Sequence, residues 1–399
     1  MAVPLLDVNA QNLPLEAELT AAFTRVLRDG RFIMGPDVAE LEAEVAAMLG
    51  VPHAIGVSSG TDALLLAFMA LGLGPGDEVL CPTFTFFATA GTLARTGATP
   101  VFVDACPVCF NLDIEDARRK ITPKTRAIVP VHLFGQMADL DAVNALAEEH
   151  GLRIIEDGAQ SIGARRHGAG FGAKSDFATY SFFPSKNLGG FGDGGMVVTG
   201  DDELAEKARI MRVHGGKPKY YHHVVGGNFR LDALQAALLR VKLARYGEYT
   251  ESRRRNAAYY TEKLAQIPGV VIADPSGHCH DAVTQARWLA ESGAKLVLPA
   301  ASPHNDHIWN QFTLRVIGEG RRDALRQHLA DRQIGCEVYY PLTMDQQPCF
   351  RNLPESSRQG CENAHRLASE VISIPIYPEL TRAQRDEVIE AVGAFPNAG

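Results

Sequence analysis

Between residues 50 and 200, short apolar runs alternate with helix-spaced segments, and this alternation constrains the fold more than any other feature of the chain. His53–Val57, Glu78–Cys81, Pro100–Val103, Ala127–Val131 and Leu152–Glu156 have the length of buried strands. Thr61–Leu71, Phe86–Arg95, Ile114–Ile121 and Leu140–His150 lie between them with helical spacing. Strands that alternate with helices build βαβ units, whose crossovers lay the strands down in parallel. Phe177–Phe182 and Gly195–Thr199 read as further strands of the same sheet. The expectation is an α/β domain with a mostly parallel central sheet.

Past residue 200 the pattern turns helical, over Glu203–Met211, Leu231–Leu243 and Tyr249–Leu264. It changes again near residue 268. Ile308–Val316 alternates like a strand, Arg321–Arg332 is amphipathic, Glu337–Tyr340 is short and extended, and Thr381–Val392 reads as a closing helix. The stretch 273–307, rich in His, Pro, Gly and Ser, reads as irregular. The chain of 399 residues therefore divides into a large domain over 1–267, with the segment 1–50 included, and a smaller α+β domain over 268–399.

A net charge of −8, with 39 Lys and Arg against 47 Asp and Glu, leaves no basic surface for nucleic acid. An anionic ligand must then be held by local donors. Seven cysteines, an odd number scattered from Cys81 to Cys361, do not form the framework of a small secreted domain. The first residues, Met1–Asp7, show neither a basic nor an apolar leader, and no apolar run nears the roughly 20 residues that span a bilayer. A cytoplasmic protein without a membrane partner is expected.

Several local patterns bear on chemistry. Val57-Ser58-Ser59-Gly60-Thr61-Asp62 joins a strand to a helix, where amides and hydroxyls converge as a phosphate site or as ordinary N-capping. Glu156-Asp157 ends an apolar strand at its carboxyl edge, where open α/β sheets place ligands and where a carboxylate can hold a protonated ring nitrogen. Tyr180–Gly190 carries a single lysine, Lys186, between an apolar strand and a glycine-dense stretch; a desolvated lysine there becomes an amine nucleophile. Gly190–Gly195 spells GxGxxG, but Met196–Thr199 after it is strand-like, so the dinucleotide interpretation fails and the glycines are expected to turn tightly toward a ligand. Cys106-Pro107-Val108-Cys109 lacks a second pair, and His278, His280, His304 and His307 read as a polar loop, so no metal is expected. Lys217–His223 and Gly226–Arg230 gather cationic and aromatic groups before a helix, either for an anionic ligand or as a solvated basic loop.

A phosphate-binding helix start, an acid at a strand end and an isolated lysine about 30 residues later are the parts that pyridoxal phosphate requires. The chain resembles the DegT/DnrJ/EryC1/StrS sugar aminotransferases, of the aspartate-aminotransferase-like fold (PLP fold type I). The resemblance runs from Phe32-Ile33-Met34-Gly35-Pro36 to the last helix. Its most diagnostic pieces are Ser59–Leu64, Pro82–Phe86, Glu156–Ser161, Ser181–Leu188, Gly192–Gly195 and Asn228–Ala237.

The resemblance implies that Lys186 carries the cofactor and later shuttles a proton, while Asp157 pairs with the ring nitrogen. It places Gln160 near the ring hydroxyl and Phe86 on the ring face. Ser59, Gly60, Thr61 and Ser181 would bind the phosphate, joined by Asn228 from a second subunit of a homodimer. The implied reaction moves an amino group from L-glutamate to a keto group of a nucleotide-linked sugar. Dehydratase relatives carry histidine where Lys186 stands, which favours amino transfer; sugar dehydration or other chemistry on the same cofactor and fold, and a non-catalytic sensor of cofactor or nucleotide sugar, are the alternatives. Phe183–Lys186 and Tyr221–Asp232 look closest to enzymes of 3-keto sugars, with Arg230, His223 and Tyr339 as substrate candidates. Tyr339-Tyr340-Pro341 and Asp345-Gln346 depart from the family's usual histidines, so the sugar itself is not read.

Overall fold

The computed structural model describes residues 2–170, 175–218, 220–274 and 282–395. Three helices open the chain: α1 (Val8–Asn12), α2 (Glu16–Asp29) and α3 (Pro36–Leu49). An alternating series follows: β1 (His53–Val57), α4 (Gly60–Leu71), β2 (Glu78–Pro82), α5 (Phe87–Thr96), β3 (Thr99–Val103), α6 (Ile114–Arg119), β4 (Thr125–Ile128), α7 (Leu140–His150) and β5 (Arg153–Asp157). A small hairpin of β6 (Arg165–Arg166) and β7 (Ala169–Gly170) leads to β8 (Phe177–Ser181) and β9 (Gly195–Thr199). Helices α8 (Asp202–Met211), α9 (Ala233–Leu243) and α10 (Tyr246–Leu264) come next.

The main sheet has the order β1-β9-β8-β5-β4-β2-β3. Its strands are parallel except β9, which runs against both β8 and β1. The mostly parallel sheet is therefore as expected. Period-two alternation sends Phe177 and Val197 to the core beneath α4 and α5, and Ala178, Tyr180, Met196 and Val198 to the core beneath α3 and α9. Seven of the twelve residues of α4 are buried, because that helix lies between the sheet and α5 and α8. The carboxyl ends of β1, β5 and β8 share one edge. There Val57 and Ser181 both pair with Gly195, the first residue of β9.

The C-terminal part contains β10 (Val270–Ile272), α11 (Ala282–Ser292), β11 (Leu296–Leu298), β12 (Asn305–Asp306), β13 (Phe312–Val316), α12 (Arg321–Asp331), α13 (Glu362–Glu370), β14 (Val371–Ile374) and α14 (Arg382–Gly393). Its four-stranded sheet has the order β10-β11-β13-β14. The core on that sheet also takes Tyr260 and Leu264 from α10, and Val3, whose backbone bridges to Ile334. Asp104, in the turn after β3, accepts from the amides of Asn363 (3.0 Å) and Ala364 (2.7 Å) and so caps α13 from across the fold.

Two local expectations are corrected. The stretch 273–307 is not irregular throughout, since it holds α11, β11 and β12; residues 275–281, with His278 and His280, lie outside the described residues. The strand expected from Ile308 begins at Phe312, because Ile308 and Asn310 donate their amides to Gly135 and Phe134 instead. The short Glu337–Tyr340 segment joins the small sheet through one bridge, Glu337 to Ser373. Among the described residues no helix is long and apolar enough to cross a membrane.

Candidate active site

Helix α4 starts where β1 ends. Ser59 takes an extended conformation and its hydroxyl accepts from the amide of Asp62 (3.0 Å), while Ser58 donates to the Asp62 carboxylate (2.6 Å). The first helical amides, those of Gly60 and Thr61, have no carbonyl one turn earlier within the helix and point out of its positive end. This start is pressed against the sheet edge. A Cβ on Gly60 would lie 2.7 Å from the Ser181 Cβ, and one on Gly195 would lie 2.5 Å from the Ser59 carbonyl. Ser59, Gly60, Thr61 and Ser181 thus share one corner, with the Ser181 hydroxyl accepting from the Phe183 amide (3.2 Å). Backbone and hydroxyl donors at a helix start make a cradle suited to a phosphate.

At the end of β5, alternation splits the two acids. Glu156 faces a buried pocket below the site, where His132 Nε2 lies 2.7 Å from its carboxylate and Ser175 donates to it. The Ala138 amide reaches His132 Nδ1 (3.1 Å), so Nε2 carries the proton toward Glu156. Asp157 faces the site and is only 4% exposed. Its carboxylate accepts from Thr89 Oγ1 (2.7 Å) and the Ala159 amide (3.1 Å), and its backbone is tied to His132 and Pro130.

Lys186 follows β8 in a tight turn closed by its amide on the Phe183 carbonyl (2.8 Å). Burial lowers its ammonium to about 8, while the charge of Asp157 pulls the value back up. The side chain is therefore an amine within a unit or so of neutral pH, with a carboxylate in electrostatic reach.

Gln160 accepts from the Phe134 amide (2.6 Å) and donates to the Tyr340 hydroxyl (3.2 Å). The Tyr340 ring lies 6.2 Å from that of Phe86 and 5.8 Å from that of Tyr339. Phe86, exposed at the start of α5, and Thr89 one turn later come from the same helix end. Arg230 pairs its backbone with Val57 beside the α4 start, and its buried Nε has no hydrogen-bond partner among the described residues. Asn228 and His223 are exposed on the loop before α9; His223 shares a shallow surface depression with His214 and His222. Lys219, in the same basic loop, lies outside the described residues. His304 stacks on His167, and His307 on Trp309.

One chain thus brings together Ser59, Gly60, Thr61, Ser181, Lys186, Asp157, Gln160, Phe86 and Tyr339 around the sheet edge, while Asn228 and His223 stand on its surface. Thr89 and Tyr340 were not picked out from sequence. Thr89 could have been found from its place one turn after Phe86; Tyr340 is reached by a contact across 180 residues that no local pattern encodes. Of the glycines after Lys186, Gly195 packs directly against Ser59 at the start of α4.

A sequence model of the DegT/DnrJ/EryC1/StrS aminotransferase family matches residues 14–289 and 280–393. The chain belongs to this family. It is 45% identical over 395 residues to the pleiotropic regulatory protein of Geobacillus stearothermophilus, covering 99% of both chains. It is 43% identical over 383 residues to the UDP-N-acetyl-3-dehydro-alpha-D-glucosamine 3-aminotransferase of Acidithiobacillus ferrooxidans, covering 96% of this chain and 95% of the relative. Its structure matches that of S. venezuelae DesV in complex with a ketimine intermediate, with a TM-score of 0.87, 43% identity and 98% of each chain covered. The aspartate-aminotransferase-like α/β fold and the pyridoxal phosphate dependence of an aminotransferase of this family follow. The residues fit that cofactor: a desolvated amine for its aldehyde, a buried carboxylate for its ring nitrogen, a helix-start cradle for its phosphate and an aromatic face at Phe86.

Proposed function

We propose that this protein moves an amino group from L-glutamate to the C3 keto group of a nucleotide-linked sugar. The observation that carries the proposal is Lys186, whose amine desolvation lowers to about 8 in the turn after β8, within reach of the Asp157 charge. The relative from Acidithiobacillus ferrooxidans, named as a 3-aminotransferase of a UDP-linked keto sugar, supports the substrate class.

When bound, pyridoxal phosphate supplies an electron sink that stabilises negative charge on the carbon bearing the transferred nitrogen. Lys186 would hold it covalently and then, freed as an amine, take and return a proton through Nζ. Asp157, kept in place by Thr89 and Ala159, would hold the ring-nitrogen proton. Ser59, Gly60, Thr61 and Ser181 would hold the phosphate, with Asn228 reaching the same group from a second copy in a homodimer. Gln160 would lie on the ring-hydroxyl side, bridged to Tyr340, and Phe86 would cover a ring face. Arg230, whose buried Nε has no partner among the described residues, is the substrate contact we favour, beside His223 and Tyr339. The division into 1–267 and 268–399 and a cytoplasmic location belong to the same proposal.

Purified protein should be yellow, and its visible band should be absent in Lys186→Ala. Adding L-glutamate should change that band lastingly, and UDP- or dTDP-linked 3-keto sugars should restore it while yielding the amino sugar. A colourless protein that takes up no pyridoxal phosphate would end the proposal. The regulatory name of the relative from Geobacillus stearothermophilus favours a second possibility, a non-catalytic sensor of cofactor or nucleotide sugar. The intact Lys186–Asp157 pair argues against it, and measurable turnover of a keto sugar would exclude it.

A further inference from the structure

Helix α9 carries a lysine that the proposed reaction does not use. Lys242 is 0% exposed, yet its ammonium donates to the carbonyl of Gly189 (2.6 Å), three residues beyond Lys186. Gln235, seven residues earlier and so on the same face of α9, accepts the amide of Phe191 (2.9 Å). The segment between is already drawn tight: a Cβ on Gly189 would lie 2.3 Å from the Pro184 carbonyl, and the Gly190 amide donates to Phe182 (2.7 Å). The Phe191 ring, 5.7 Å from the ammonium, and the charge of Glu379 complete the surroundings of Lys242.

A methionine would fill nearly the same volume without the cost of burying a charge. Packing alone therefore does not account for a lysine at this position, whereas a carbonyl needing a donor does. Burial brings Lys242 down to about 8, so at neutral pH it keeps most of its charge and donates fully.

We propose that Lys242, seconded by Gln235, is a positioning residue that holds the 183–192 turn so that the Lys186 amine faces Asp157. The proposal rests on the assignment of Lys186 to the cofactor. Its test uses Lys242→Met, with Gln235→Leu as the second variant should the first fail to fold. Hydrogen exchange of the peptide spanning 183–192, measured without cofactor, should speed up at least tenfold while distant peptides keep wild-type rates. With pyridoxal phosphate bound, the pH midpoint of the visible band should move by half a unit or more, a change that a loss of global stability does not produce. Wild-type exchange in this peptide, or faster exchange with an unmoved midpoint, overturns the positioning role. If Lys186→Met protein develops the same visible band as wild type, the Lys186 assignment falls and takes this proposal with it; the exchange result tells the two failures apart.

Discussion

Lys186 and Asp157 pull in opposite directions on one proton. Burial lowers the lysine from its ordinary value of 10.5 to about 8, and the carboxylate limits the fall. Below pH 8 the side chain is protonated folded and unfolded, so the cofactor-free fold carries the whole desolvation cost. Between about pH 8 and 10.5 the unfolded chain holds a proton that the folded chain has lost, and stability rises with pH across that window. Cofactor-free Lys186→Met avoids the cost; it should unfold later than wild type at pH 7, by on the order of 1–3 kcal/mol. The advantage should shrink toward pH 10, as urea titrations at the two pH values would show; an offset unchanged with pH contradicts the buried ammonium. Replacing the carboxylate acts with the opposite sign to burial relief. Asp157→Asn should push the amine below about 8, read from the pH dependence of Lys186 reductive methylation, and an unchanged or higher value would refute the pairing. Both residues were legible in the sequence because each stands at a strand end or turn that its own neighbours define. Tyr340 was not, since only folding brings its hydroxyl to Gln160.

Elements were legible where their own periodicity sufficed. The βαβ series could be read because its short, mostly buried apolar strands alternate with segments of helical length and spacing. Helices α1 to α3 and the pair α13–β14 went unread: their places depend on distant partners, such as Asp104 capping α13 across the chain. The same dependence makes the start of α4 fragile. Gly60 meets Ser181 where a methyl group would sit 2.7 Å from a Cβ and 3.2 Å from a Cα, and backbone cannot yield as a flexible side chain can. Gly60→Ala should therefore lift the helix start from β8, costing about 1–3 kcal/mol in urea unfolding and weakening pyridoxal phosphate uptake at least tenfold. Asp104→Ala should cost a similar amount, about 1–2 kcal/mol, yet leave uptake near wild type, because it uncaps a helix remote from the cradle. Equal effects of the two on uptake would mean that the cradle senses global stability rather than local fit.

At the scale of the whole molecule, several apolar side chains stand uncovered among the described residues. Phe23, Leu27, Phe32 and Ile33 are exposed on and after α2, and Tyr221 and Val225 on the loop that also carries His223 and Asn228. Exposed apolar surface of this kind on a folded chain favours association, and it supports the proposed homodimer. A symmetric pair would bury such patches on both copies at once. If Asn228 completes the site of the other copy, each site takes Lys186 from one chain and Asn228 from its mate. Lys186→Met and Asn228→Ala homodimers should then each be inactive, for different reasons. Exchanging subunits between them makes hybrids in which one site has lost both residues and the other has kept both. With random exchange half the dimers are hybrid and half of their sites are intact, so the mixture should recover about a quarter of wild-type turnover. Sites built from a single chain give no such recovery, because every Lys186 that survives then sits beside its own altered residue 228. Turnover after mixing, with hybrid formation followed by native mass spectrometry, decides between the two arrangements.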